Sequence, residues 1–258
     1  RELPVERRSI VRKSYVYLVL GVAIGLIIGA FVALSQWIFR ADSFSGYPWA
    51  AAVIWPVVWV LYWRLESAEG QSTSETLAIR RLYLYLVSLA TLTMMAVGLG
   101  RIAHIILLEG YESLVSLPVL FPSETGFWQH SMREALSLAL VGYAGWASHW
   151  LYFAGRDSGS ILRQAYLHIF TTLGGVITAL ISLSFILNGA LTWALGASTE
   201  AAASHFRFLP AALVSLGVGI GLWTYHWTVV RREAQFSLHE SLGVRRTYAY
   251  VLTALGLG

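Results

Sequence analysis

Two short stretches hold the residues most able to do chemistry. Trp146-Ala-Ser-His149-Trp150 and Trp223-Thr-Tyr-His226-Trp227 each bracket a histidine with two tryptophans at the same spacing. On a helix, positions i, i+3 and i+4 share one face, so each Trp-His-Trp set forms a single stripe. Imidazole is a common axial ligand, and His149, His226 and His168, all near one end of their segments, are haem candidates. The same residues also suit an aromatic belt at a membrane boundary, where ring bodies are apolar and ring edges polar. The belt is the better reading, because the corresponding stretch Trp59-Val-Leu-Tyr62-Trp63 has tyrosine where the others have histidine.

A second candidate is the pair Arg101 and His104, one helical turn apart within an apolar run. Ionisable residues inside a membrane mark function by default, and Glu134 or Glu109 could supply a counter-charge. The competing reading is that Arg101 snorkels to the outer interface. His130 and His205 lie in outer loops with no metal-ligand spacing to His104, so no metal is expected. With no cysteine in the chain, thiolate sites, disulfides and cysteine nucleophiles are excluded. Gly155-Arg-Asp-Ser-Gly159 lacks a His and Asp partnership, and no zinc-protease, phosphate-loop or dinucleotide motif occurs. No catalytic residue and no cofactor is expected.

The elements that position these residues follow from composition. Of 258 residues, 57% are hydrophobic and only 12% charged, with a mean hydropathy of +0.62. That is too little charge to clothe a soluble domain of this length. Apolar runs at Tyr15–Phe39, Pro48–Trp63, Leu82–Leu108, Met132–Phe153, Ala165–Leu187 and Leu209–Val230 each approach the length of a bilayer core, and a seventh begins near Thr247. Pro56 in the short second run predicts a kink or a constrained tilt. Arg1, Arg7, Arg8, Arg12, Lys13, Arg64, Arg80, Arg81, Arg156, Arg163, Arg231, Arg232, Arg245 and Arg246 fall on one side of these spans. Only Arg40, Arg101, Arg133 and Arg207 fall on the other. The positive-inside rule makes the first side cytoplasmic, so the N-terminus faces inward. Topology thus accounts for a net charge of +4, and nucleic acid is not an expected partner. The expected partners are the lipid bilayer and other membrane subunits or further copies of the chain. A start at Arg1 and an end inside an apolar run mark the chain as a piece of a longer protein.

The chain repeats itself. Arg12-Lys-Ser-Tyr15-Val-Tyr17, Arg80-Arg81-Leu-Tyr83-Leu-Tyr85, Arg163-Gln-Ala-Tyr166-Leu-His168 and Arg245-Arg-Thr-Tyr248-Ala-Tyr250 each open a span. The tryptophan stretches close the return spans, which makes Arg–Trp cation–π contacts and Tyr–His hydrogen bonds available. The expected fold is an all-α membrane protein, a polytopic bundle of repeated two-helix transmembrane hairpins with six complete spans and the start of a seventh. The repeats occupy residues 1–69, 70–155 and 156–234, with a truncated fourth at 235–258. Ser72-Thr-Ser-Glu75 and Ser237-Leu-His-Glu240 match capping boxes and predict a lead-in helix running continuously into the span. Gly21, Gly25 and Gly29 form a small-residue stripe for packing within the bundle, and Gly217 and Gly221 form another.

These opening and closing motifs resemble a bacterial multipass membrane family of unknown function, the domain of unknown function 5671 family. The resemblance covers nearly the whole chain, as tandem copies. Tyr62, Gln164 and His168 depart from the pattern. Because the family has no established activity, the resemblance implies a fold and an inner-membrane setting rather than a reaction. The leading expectation is a non-enzymatic scaffold, sensor or accessory subunit. A transporter or channel would need hydroxyls such as Thr91, Thr93, Thr171, Thr172, Thr178 and Ser182 to converge at mid-membrane, although such groups often bond back to their own helix. A haem- or pigment-binding electron-transfer subunit is the third alternative.

Overall fold

The computed structural model describes residues 10–69, 73–115, 130–157, 160–196 and 199–234, with Tyr250 and Thr253. Every element among them is helical. In chain order these are α1 (Ile10–Ile38), α2 (Gly46–Ala68), α3 (Ser74–Val115) and α4 (His130–Trp146), then a π-helical segment Ala147–Phe153 and a 3₁₀ turn Ala154–Arg156. After these come α5 (Ile161–Ala165), a second π-helical segment Tyr166–Leu173, α6 (Gly174–Ala194), α7 (Ala202–His205), a 3₁₀ turn Phe206–Phe208 and α8 (Leu209–Ala234). Apart from Tyr250 and Thr253, the expected fourth repeat start at 235–258 lies outside the described residues, as do the Ser237–Glu240 box and Ser72. Within them, α3 opens on Thr73, whose Oγ1 accepts the Thr76 N–H at 3.3 Å.

Five helical stretches are long and apolar enough to cross a membrane: Ile10–Ile38, Gly46–Ala68, Ser74–Val115, Ile161–Ala194 and Ala202–Glu233. The segment expected as the fourth span is helical throughout but is not among them. Its α-helix has only 17 residues and carries Arg133, Glu134 and Ser137, and the π segment that follows carries Ser148 and His149. Helix α3 is continuous for 42 residues, about 60 Å at the helical rise and twice a hydrocarbon core. The lead-in from Ser74 therefore joins the span without a break. Helix α2 is likewise unbroken through Pro56.

The chain divides into two compact units. The first comprises Arg1–Gly98 and Arg133–Asp157. In it α1 packs on α2, and the buried residues of α1, Lys13, Val16, Tyr17, Leu20, Ala23, Ala30 and Leu34, fall along one helical stripe. Its core joins Val16, Tyr17 and Leu20 to Tyr83, Leu84 and Val87 of α3, with Trp59, Trp63 and Phe153 packed against them. Helices α3 and α4 cross at contact distance. A Cβ on Gly142 would stand 2.5 Å from the Met95 N, and one on Gly98 would strike the Ala139 backbone.

The second unit comprises Leu99–Met132 and Ser158–Gly258. Here α6 packs along α8, and Gly175 and Gly219 let the two backbones meet: a Cβ on Gly219 would lie 2.7 Å from the Ala179 N. At the other end of this unit, Arg207 pairs with Glu112 at 2.7 Å and Tyr111 donates to the Ala203 carbonyl at 2.7 Å.

The glycine stripes do not pack as expected. Added Cβ atoms at Gly21, Gly25, Gly29, Gly217 and Gly221 meet nothing within 4 Å among the described residues. Gly21, Gly25 and Gly29 have the right period but the wrong phase. They lie almost opposite the stripe that buries Val16 and Leu20, since each residue advances about 100° around the helix. The close crossings fall instead on Gly98, Gly142, Gly145, Gly175 and Gly219.

Candidate functional site: ring pairs and charge clasps

In the first unit, the opening motif of α3 meets the closing motif that follows α4. The Tyr83 ring lies edge-on to the His149 ring at 5.9 Å, with Tyr83 Oη 3.3 Å from His149 Nε2. Trp59 Nε1 donates to the same hydroxyl at 2.9 Å. His149 Nδ1 sits 3.0 Å from the Gly145 carbonyl, one turn back. Both ring nitrogens of His149 are therefore engaged within the protein, and a metal-bound porphyrin would have to displace one of these bonds. The Trp59 and Trp63 rings stack at 5.1 Å, Phe153 lies 4.8 Å from Trp63, and the Arg80 guanidinium lies 5.5 Å over the Trp63 ring. Trp146 and Trp150 are buried, and Trp150 lies 6.5 Å from Tyr85.

Two further ring contacts have the same make. Tyr15 and Tyr62 lie 6.4 Å apart in the first unit, and Tyr166 and His226 lie 5.9 Å apart in the second. In each case the first aromatic of an opening motif meets the central ring of a closing motif. His226 Nδ1 rests 2.9 Å from the Leu222 carbonyl, and His168 Nδ1 rests 3.0 Å from the Gln164 carbonyl. Trp223 is partly exposed, and Trp227 carries the Arg231 guanidinium 5.6 Å over its ring.

Beside each ring pair lies a charge clasp. Arg12 reaches Glu69 at 2.8 Å, and Lys13 reaches Glu69 at 2.9 Å and Glu66 at 3.5 Å. Arg81 binds Asp157 through Nε at 3.0 Å and Nη2 at 2.7 Å, while the Tyr85 hydroxyl donates to the other Asp157 oxygen at 2.7 Å. Arg163 grips Glu233 with a fork at 2.6 and 2.9 Å. Bidentate guanidinium–carboxylate contacts fix orientation as well as charge. The sequence reading picked out the cations and missed these carboxylates. Their signal was available: an acid stands within about two helical turns after each closing tryptophan.

The other candidates do not join these clusters. Arg101 is exposed on α3, and His104 is half-buried one turn on. His205 Nε2 sits 2.9 Å from the Gly189 carbonyl, and its ring lies 5.4 Å from Trp193, so it serves the packing of that end. Among the described residues, no group of three His, Asp or Glu side chains could hold a metal ion. The hydroxyls weighed as a pathway bond mostly to their own helices: Thr91 to Val87, Thr171 to Leu167, Thr178 to Gly174 and Ser182 to Thr178, all at 2.7–2.8 Å.

Comparison with known proteins gives one match. Residues 81–217, more than half of the chain, match the family described as a domain of unknown function, DUF5671. Neither the curated proteins nor the solved structures contain a match.

Proposed function

The chain belongs to the domain of unknown function 5671 family, and on that premise we propose that it is a non-enzymatic integral membrane scaffold. Scaffold, sensor and accessory subunit are the forms this role can take, in a bacterial inner membrane and with the N-terminal end cytoplasmic. It is built of tandem two-helix hairpins, each carrying one ring pair and one charge clasp at the same end. The observation that supports this reading is where the distinctive side chains go. Tyr83, His149, Tyr85, Arg81 and Asp157 are used on one another, as are Arg163 and Glu233, while Tyr166 and His226 meet ring to edge. Charged and polar groups spent on one another in this way hold helices together rather than face a substrate.

Transport would need polar groups aimed at a shared path, and most of the hydroxyls available bond to the preceding turn of their own helix. The test is reconstitution of the purified chain in liposomes. The scaffold reading expects no solute flux and no visible absorbance. Flux that disappears in Arg101→Ala would replace it with the transport reading. A haem absorption band lost in His149→Ala or His226→Ala would replace it with electron transfer.

A further inference from the structure

The cations at the clasped end of each unit fall into two classes. Arg12, Lys13, Arg81 and Arg163 are taken up by Glu66, Glu69, Asp157 and Glu233. Among the described residues, Arg64, Arg80, Arg231 and Arg232 meet no carboxylate. Two of these are held in the same way: Arg80 lies over the Trp63 ring and Arg231 over the Trp227 ring. Arg64, Arg231 and Arg232 are exposed. A guanidinium lying over an indole face is oriented by the ring while its N–H edge stays available for an oxyanion. The tryptophans belong at the headgroup level of a bilayer, which puts that edge where lipid phosphates lie.

We propose that these two Trp–Arg steps, Trp63–Arg80 and Trp227–Arg231, are binding sites for the headgroups of anionic phospholipids, with Arg64 and Arg232 adding to the attraction. The proposal rests on the membrane reading above. Charge complementarity supports it, since Glu66, Glu69, Asp157 and Glu233 are already spent on other cations and none of the described carboxylates pairs with these guanidiniums. Each unit has one such contact, made in the first by the opening Arg80 of α3 on the closing Trp63 of α2, and in the second by Arg231 on Trp227 one turn before it on α8.

The test uses the whole chain in mixed micelles, titrated with phosphatidylglycerol, with phosphatidylcholine or with inorganic phosphate, and reads the rise in unfolding temperature. Phosphatidylglycerol should stabilise the protein well beyond phosphatidylcholine, and inorganic phosphate should not reproduce the effect. Arg80→Gln and Arg231→Gln should each raise the half-saturating phosphatidylglycerol concentration roughly fivefold, the weight of one cation near an anionic surface. Arg80→Lys should fall between, because a lysine keeps the charge and loses the planar stack. Arg231 is exposed at a helix end, so its variant is informative even if Arg80→Gln folds poorly. Equal stabilisation by both lipids, equal stabilisation by inorganic phosphate, or an unchanged midpoint in Arg231→Gln would each overturn the proposal. A parallel carbonate wash of vesicles of equal parts phosphatidylcholine and phosphatidylglycerol separates the two readings. Release of the chain by the wash counts against membrane insertion itself, whereas retention without lipid preference counts only against the headgroup sites.

Discussion

Lys13 shows why the clasps matter one residue at a time. Its side chain is 4% exposed, as is that of its partner Glu69, so neither charge has water to fall back on. Removing Lys13 leaves the buried Glu69 carboxylate to Arg12 alone, a loss bounded above by the about 3–5 kcal/mol of a buried charge left with no partner. Lys13→Met should therefore lower the unfolding temperature sharply, and pairing it with Glu69→Leu and Glu66→Gln should recover much of the loss. The Arg81–Asp157 clasp is more open, with side chains 33% and 16% exposed. Solvent screening discounts it, and Asp157→Asn should cost nearer 1–2 kcal/mol. A double-mutant cycle on Arg81 and Asp157 measures the coupling, and a value near zero would show that the clasp is geometric only. Tyr83→Phe belongs with these changes, because its hydroxyl serves both Trp59 and His149.

At the scale of the element, the decisive residues are the smallest. Gly142 and Gly175 stand where a partner backbone passes within the reach of a methyl group. Leucine at Gly142 or Gly175 should force the helices apart and cost at least the 1–3 kcal/mol of ordinary overpacking. Leucine at Gly25, which meets nothing within 4 Å, should leave unfolding by heat or denaturant almost unchanged. The contrast also shows what could be read from sequence and what could not. The helices themselves, and the meeting of opening and closing motifs, follow from apolar run length and the repeat spacing of Tyr83, Tyr166, His149 and His226. Period alone could not phase the glycines, because the buried face of α1 is chosen by Val16, Tyr17 and Leu20 packing on residues of α3. Nor could it pair the charges. Arg81 and Asp157 are separated by 76 positions, and they meet only because the intervening chain returns to the same end.

For the whole molecule, the absence of cysteine is an experimental advantage. Ser43, in the exposed turn between α1 and α2, and Ser67, exposed near the end of α2, lie at opposite ends of one helix. Single cysteines at these two positions should label from opposite sides of a sealed vesicle with an impermeant maleimide, with Ser43→Cys accessible from outside. Labelling of both from one side would remove α2 as a span and with it the proposed topology. Exposed apolar residues, such as Val53, Ile54, Val57 and Leu61 on α2 and Ile181, Leu183 and Phe185 on α6, are the surfaces expected to meet lipid.

The π-helical segment Ala147–Phe153 makes the hairpins tolerant of miscounting. The clasp acid stands six residues after Trp63 (Glu69) and after Trp227 (Glu233), but seven after Trp150 (Asp157). A π turn closes on i→i+5 rather than i→i+4 and so absorbs one residue without lengthening the path in proportion. The surplus residue lies next to the widened turn, between Trp150 and Asp157. Deleting exposed Leu151 should therefore relax that stretch to an α-helix and leave Asp157 within reach of Arg81. Deleting Thr228 from the regular helix α8 should swing Glu233 by about 100° and release Arg163. Thermal stability and a charge-swap rescue at each clasp would show whether the chain counts residues there or merely distances.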